Sequence, residues 1–171
     1  FTFTNLPADN YLEFTIKTYP PHEGVTNQLL SLKPGDELII ADAWGTINYK
    51  GEGVFIAGGA GVTPFISIFR DLREKNKLGT CKLIFANKTA ADIIHKNEFK
   101  DMLGKNFINI LSQDESTHFE HGLINESFLK KHGVKDHVYI YLCGPRPMME
   151  SIEEQLRNLN VNQDVIVKEE F

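Results

Sequence analysis

"VFIAGGAGVTPFISIF", Val54 to Phe69, runs apolar, then glycine-rich, then apolar again. Its first part is a short apolar run bounded by breakers, which suits a strand buried on both faces. Gly58, Gly59 and Gly61 follow at once, and Pro64 stands at the mouth of the next segment. Glycines there let main-chain N–H groups approach a phosphate, and a helix N-terminus adds partial positive charge. Proline in the first turn of that helix loses no hydrogen bond, and Thr63 before it is expected to act as the N-cap. The order Gly59-Ala60-Gly61-Val62-Thr63-Pro64 carries proline where the dinucleotide fingerprint has its last glycine. Taken alone, the turn also fits a tight strand–helix connection with no ligand.

Four further apolar runs follow downstream: "CKLIFA", "FINILS", "VYIYLCG" and "VIVKEEF". Amphipathic stretches lie between the runs, namely "PFISIFRDLREKN", "ADIIHKNEFKDML", "NESFLKKH" and "PRPMMESIEEQLRNL". In the last, Met149, Ile152 and Leu156 share one helical face, with Leu159 next in phase. Strand–helix alternation with strands apolar on both faces predicts a doubly wound parallel sheet of five strands over residues 50–171. "VYIYLCG" ends at the same sheet edge as the glycine turn. Cys143, Gly144 and Pro145 there repeat the pattern of small residue, glycine and helix-starting proline. Ligands of doubly wound folds bind at that carboxyl edge.

Residues 1–49 read differently. In "YLEFTIK", Leu12, Phe14 and Ile16 alternate with Tyr11, Glu13, Thr15 and Lys17, which predicts a half-buried antiparallel strand. "KPGDELIIAD" predicts a turn at Pro34-Gly35-Asp36 and then a short strand. "VTNQLLSL" predicts a short helix capped by Thr26. "FTFTNLP" has the look of the middle of a β-protein, so residues upstream of it are expected.

Composition bounds the function. The chain has 171 residues, 42% hydrophobic and 24% charged, with a formal charge of −5. Those values predict a folded domain without membrane spans and disfavour nucleic acid as a partner. The two cysteines, Cys81 and Cys143, do not make a disulfide scaffold, and a reducing cytoplasmic setting is expected. They also cannot supply the four ligands of a plant-type iron–sulfur cluster. "HFEH" holds His118 and His121 without companions at metal spacing, so it reads as a loop and no metal site is expected.

"GGAGVTPF" followed by "LCGPRPMM" resembles the ferredoxin-NADP reductase superfamily, in which a flavin-binding barrel precedes a nucleotide domain. The likeness is to flavodoxin and ferredoxin reductases, with cytochrome b5 reductase-like features in "FANKTAADI". It implies that residues 1–49 are the end of a partial antiparallel β-barrel for FAD and that residues 50–171 bind NADPH or NADH. It assigns Gly59, Gly61, Val62, Thr63, Pro64, Asn87, Lys88, Cys143, Gly144, Pro145 and Met148 to the nicotinamide nucleotide. It assigns Phe1, Thr2, Gly24, Val25, Thr26 and Phe171 to FAD. Phe1-Thr2 matches the second half of the family's Arg-x-aromatic-Ser/Thr motif. Gly24 comes one position later than the glycine of the second flavin stretch, where Glu23 stands. Thr2, Cys143, Glu169 and Phe171 are the implied catalytic set, and flavodoxin or ferredoxin the implied electron partner.

The implied reaction is hydride transfer between nicotinamide and flavin, with Cys143 packing near the reacting carbon rather than attacking it. Lys88, and Lys130 or Lys131, are candidates to meet a 2′-phosphate, which tilts the expectation slightly to NADPH. "RDLREKNK" offers Arg70, Arg73, Lys75 and Lys77 as a basic stripe for an acidic carrier, or simply as the solvated face of a helix. The alternatives are the reductase component of an oxygenase or flavohaemoglobin system, and a non-catalytic nucleotide-binding module.

Overall fold

Strand β1 (Gly53–Gly58) is buried along its whole length, and its alternating side chains feed two different cores. Phe55 and Ala57 point into one cluster with Phe65, Phe69, Leu83, Phe85 and Phe99. Val54 and Ile56 point into the other with Ile84, Ile140, Met149, Ile152 and Leu156. A strand that is apolar on both faces must lie between two layers, and that requirement puts β1 inside the sheet. This computed structural model describes residues 1–18, 24–42, 45–115, 118–134 and 139–169.

The sheet comprises β1, β2 (Lys82–Asn87), β3 (Phe107–Leu111), β4 (Glu120–His121), β5 (Tyr139–Cys143) and β6 (Ile166–Lys168), in the order β4-β3-β2-β1-β5-β6. Every pairing is parallel. Among the described residues the sheet therefore has six strands, not five. The extra one, β4, is two residues long and lies within "HFEH", where no apolar run announces a strand. The chain order reverses between β1 and β5, and this is the switch point at which open α/β sheets form a crevice.

Helix α1 (Val25–Gln28) precedes the sheet; α2 (Thr63–Glu74), α3 (Lys96–Leu103), α4 (Glu126–Lys131) and α5 (Arg146–Asn158) connect its strands. In α5, Met149, Ile152 and Leu156 are buried as their spacing predicts, with Leu159 packed against them. Two expected caps are not caps. Gly59–Val62 already forms a 3-10 turn that runs into α2, so Thr63 is the first α-helical residue and Val62 the N-cap. Gly24 holds the N-cap of α1, and Thr26 lies inside it. The segment expected to be helical from Ala91 instead starts as a 3-10 turn. Its capping box ties Thr89 to Asp92, and α3 begins only at Lys96.

The predicted strands of residues 1–49 reduce to one antiparallel bridge among the described residues, Phe3 with Phe14. Their rings pack at 4.9 Å. The turn at Pro34-Gly35 forms, with the Asp36 amide donating to the Lys33 carbonyl at 3.0 Å. Leu38, Ile39 and Ile40 after it are exposed and form no strand. A strand needs a ladder partner for its main-chain groups, and none of the described residues supplies one here. "YLEFTIK" is also oriented unexpectedly: Leu12 is exposed, while Glu13, Thr15 and Lys17 reach side chains of the α/β layer.

The chain enters the sheet through a fixed joint. The fully buried Tyr141 stacks on Phe55 with ring centroids 4.1 Å apart. Its hydroxyl accepts from the amides of Lys50 (2.8 Å) and Gly51 (3.0 Å) and donates to the Gly51 carbonyl (2.8 Å). That uses the full hydrogen-bonding capacity of a phenol.

Candidate nucleotide-binding site

The glycine loop after β1 and the loop after β5 lie side by side, because β1 and β5 pair directly, with Ala57 opposite Cys143. Their contact is of main chain on main chain. A Cβ on Gly61 would overlap the carbonyl of Cys143 and come within 2.6 Å of the Gly144 Cα. A Cβ on Gly58 would meet the Pro145 ring at 2.9 Å. Gly59 adopts φ +52°, the left-handed region in which glycine is unstrained.

These loops form one wall of a cleft of about 930 Å³ at the carboxyl edge of the sheet. Gly59, Gly61, Thr63 and Pro64 line it from the first loop, Cys143, Gly144, Pro145 and Met148 from the second, and Asn87 and Lys88 from the end of β2. Ten of the eleven residues that the resemblance assigns to the nicotinamide nucleotide therefore meet in one place. The exception is Val62, whose side chain is fully buried in the core. Thr2 and Glu169 line the same cleft. Gly24, Val25 and Thr26 do not, and Phe1 stands exposed outside it. Phe171 and Glu23 lie outside the described residues.

The cleft also draws on residues the sequence reading passed over. Ser112 follows β3, and Gly122, Leu123 and Ile124 follow β4. Ser112 was open to discovery as the residue after a neighbouring strand's carboxyl end. Lys17 and Asp92 line the cleft as an ion pair at 3.3 Å. Asp92 also accepts from the Thr89 hydroxyl, which is the main reason its carboxyl is held below the usual range. Lys130 and Lys131 are absent from the lining and pair with Glu126 and Glu120.

Two features fit a dinucleotide. The glycine loop leads into the N-terminus of α2, and a Cβ on Gly59 would meet nothing within 4 Å, which suits a pyrophosphate. Asn87 is 8% exposed, and among the described residues neither its amide nitrogen nor its oxygen has a hydrogen-bond partner. An unpaired amide buried at a cleft wall carries a desolvation penalty that a polar ligand would relieve.

Cys143 is buried, and its Sγ donates to Glu169 Oε2 at 3.8 Å. Burial, reinforced by the Glu169 carboxylate, pushes the thiol up to about 12. It is a neutral group at physiological pH, suited to packing against a ligand and not to nucleophilic attack. Cys81 is likewise free and buried.

Arg70 does not belong to an exposed stripe. Its Nε and Nη2 contact the Glu98 carboxylate at 2.6 and 3.1 Å, and its Nη1 reaches Glu13 at 2.6 Å. Lys75 pairs with Asp71 yet stays exposed, as do Arg73 and Lys77. No helix among the described residues is long and apolar enough to cross a membrane.

Residues 55–154 match the family described as the oxidoreductase NAD-binding domain. The chain is 32% identical over 160 residues to NADH-cytochrome b5 reductase 2 of Mycosarcoma maydis, covering 83% of this chain and 44% of that protein. It is 29% identical over 168 residues to a component of the Na(+)-translocating NADH-quinone reductase of Neisseria meningitidis, covering 89% of this chain and 41% of that one. The chain thus spans less than half the length of these curated relatives. Among solved structures, the Amycolatopsis cytochrome P450 reductase GcoB superposes with a TM-score of 0.80 at 20% identity, over 99% of this chain and 55% of that one. The cytochrome b5 reductase domain of Ulva prolifera nitrate reductase gives 0.73 at 20% identity, over 92% and 72%. At such identity these two likenesses speak for the fold. The family match covers more than half of the chain and falls on both loops of the cleft: the chain belongs to the oxidoreductase NAD-binding domain family.

Proposed function

We propose that this chain is the nicotinamide-nucleotide half, with the end of the flavin half, of an NAD(P)H-dependent flavoprotein reductase. The observation that carries the reading is the convergence of the glycine loop, the Cys143–Glu169 pair and Thr2 on one cleft. Residues 1–49 complete the flavin domain and residues 50–171 hold the nucleotide. Bound FAD would supply the acceptor for a hydride from nicotinamide and pass electrons on singly. The protein's part is to bind, orient and exclude water. The N-terminal turn of α2 and the main chain of Gly59 to Gly61 receive the pyrophosphate. Asn87 and Lys88 face the adenosine side. Cys143 and Glu169 pack at the nicotinamide end, with Thr2 across the cleft on the flavin side. We place the one-electron acceptor outside this chain, as a flavodoxin- or ferredoxin-type carrier.

Anaerobic titration of the complete protein with NADH and with NADPH tests this. Bleaching of flavin absorbance by one nucleotide equivalent is the expected result. Nucleotide binding without bleaching would make the chain a non-catalytic module instead.

The choice between nucleotides rests on Lys88. It is exposed at the cleft wall, whereas the other two candidate lysines are paired elsewhere. Lys88→Ala should raise KM for NADPH about fivefold, the worth of one exposed charge contact of about 1 kcal/mol, and leave KM for NADH within a factor of about two. Equal changes for both nucleotides would remove Lys88 from the 2′-phosphate.

A further inference from the structure

A polar network outside the cleft joins the first residues of the chain to α2 and α3. Thr4 is fully buried, although it lies in a segment with little regular structure. Its amide donates to the Glu13 carbonyl at 2.8 Å, and its hydroxyl donates to Glu13 Oε1 at 2.7 Å. Arg70 closes this unit from the α/β side. Its Nη1 donates to the Thr4 carbonyl at 2.7 Å and to Glu13 Oε1 at 2.6 Å, while its Nε and Nη2 grip Glu98 of α3. Beside it, His95 bridges Glu98 (2.8 Å) and the Thr15 hydroxyl (3.2 Å). Only the planar, five-donor guanidinium can serve two carboxylates and a carbonyl from one position.

The placement of this network matters. Arg70 sits seven residues beyond Thr63 on α2, about 10 Å along the helix that the glycine loop leads into. Thr4 is two residues from Thr2, which lines the cleft. One helix therefore presents the loop at its start and grips the Thr2 segment two turns later. We propose that Arg70 is a positioning residue: by clamping the Thr4–Glu13 unit onto α2, it fixes where Thr2 stands relative to the nucleotide loops. The role rests on the reductase reading above, whereas the clamp itself is independent of it.

The test uses the complete protein with Arg70→Met and Arg70→Lys. Hydrogen exchange at the Thr4 amide should quicken at least about tenfold in R70M, with R70K between, while Phe55 to Ala57 of β1 keep their protection. Flavin reduction at saturating nucleotide, per bound flavin, should slow about tenfold, with nucleotide Kd changed less than about threefold. Thr2→Ala, harmful alone, should add little on top of R70M, because both act on one position. Unchanged Thr4 exchange overturns the clamp whatever the activity. Faster exchange with an unchanged rate per flavin, or a Thr2→Ala effect that multiplies in full, overturns the positioning role. If the unsubstituted protein is not reduced by either nucleotide, the reductase reading and the positioning role fall together, and Thr4 exchange alone decides the clamp. Should R70M fail to fold, shown by loss of protection in β1, R70K carries the same comparisons.

Discussion

Gly61→Ala should weaken nicotinamide-nucleotide binding by about 100-fold, close to 3 kcal/mol, measured by calorimetric titration of the folded variant. Space is the cause, since Gly61 does not have a positive φ. The added methyl would overlap the Cys143 carbonyl and approach the Gly144 Cα, and neither belongs to a side chain that can swing aside. The two loops must separate, and the cleft between them changes shape. Gly59→Ala provides the contrast. Open space surrounds Gly59, but its φ of +52° strains any other residue. The cost there is about 1–2 kcal/mol, so the expected loss is nearer tenfold. Binding by Gly61→Ala within about threefold of the parent would show that the close approach of the loops does not shape the site.

Cys143→Ser is expected to slow hydride transfer about 100-fold while nucleotide Kd stays within about threefold, as read by rapid-mixing reduction of the flavin. Serine is smaller and forms shorter hydrogen bonds, so it would be drawn toward Glu169 and away from the ligand face. Misplacement of a packing group by about an ångström is enough for a loss of that size. Equal losses in rate and binding would instead make Cys143 a plain part of the pocket wall. The thiol's protonation gives an independent check. With its pKa pushed up to about 12 from an ordinary 9.0, Cys143 should alkylate about 10³-fold more slowly than a free thiol near pH 8. Because the shift is upward, the stability it reflects is complete below the ordinary thiol range and is lost as pH climbs toward 12. Rapid labelling of native protein near pH 8 would contradict the buried, carboxylate-facing geometry.

The sequence made the α/β layer readable wherever one residue pattern admits one environment. β1 and β5 are apolar on both faces, and only an interior parallel strand satisfies that. The two loops were readable because glycine and proline constrain the backbone locally. β4 was not, since two residues in a histidine-containing loop carry no periodicity. The strands expected in residues 1–49 do not form among the described residues for a related reason. Alternation in "YLEFTIK" predicts a strand only when a neighbour is there to pair with it. Here the face expected to meet water, Glu13 and Thr15, is the one that docks. Arg70 looked like part of a solvated helix face. Its partners lie 57 and 28 positions away in the chain, at Glu13 and Glu98, and no local pattern reports them.

The joint at Tyr141 has a mechanical consequence. A dry phenol that bonds two consecutive peptide groups and stacks on Phe55 ties the incoming segment to β5 and β1 at once. A pull from whatever the chain carries ahead of the joint should therefore load both loop-bearing strands together rather than part them.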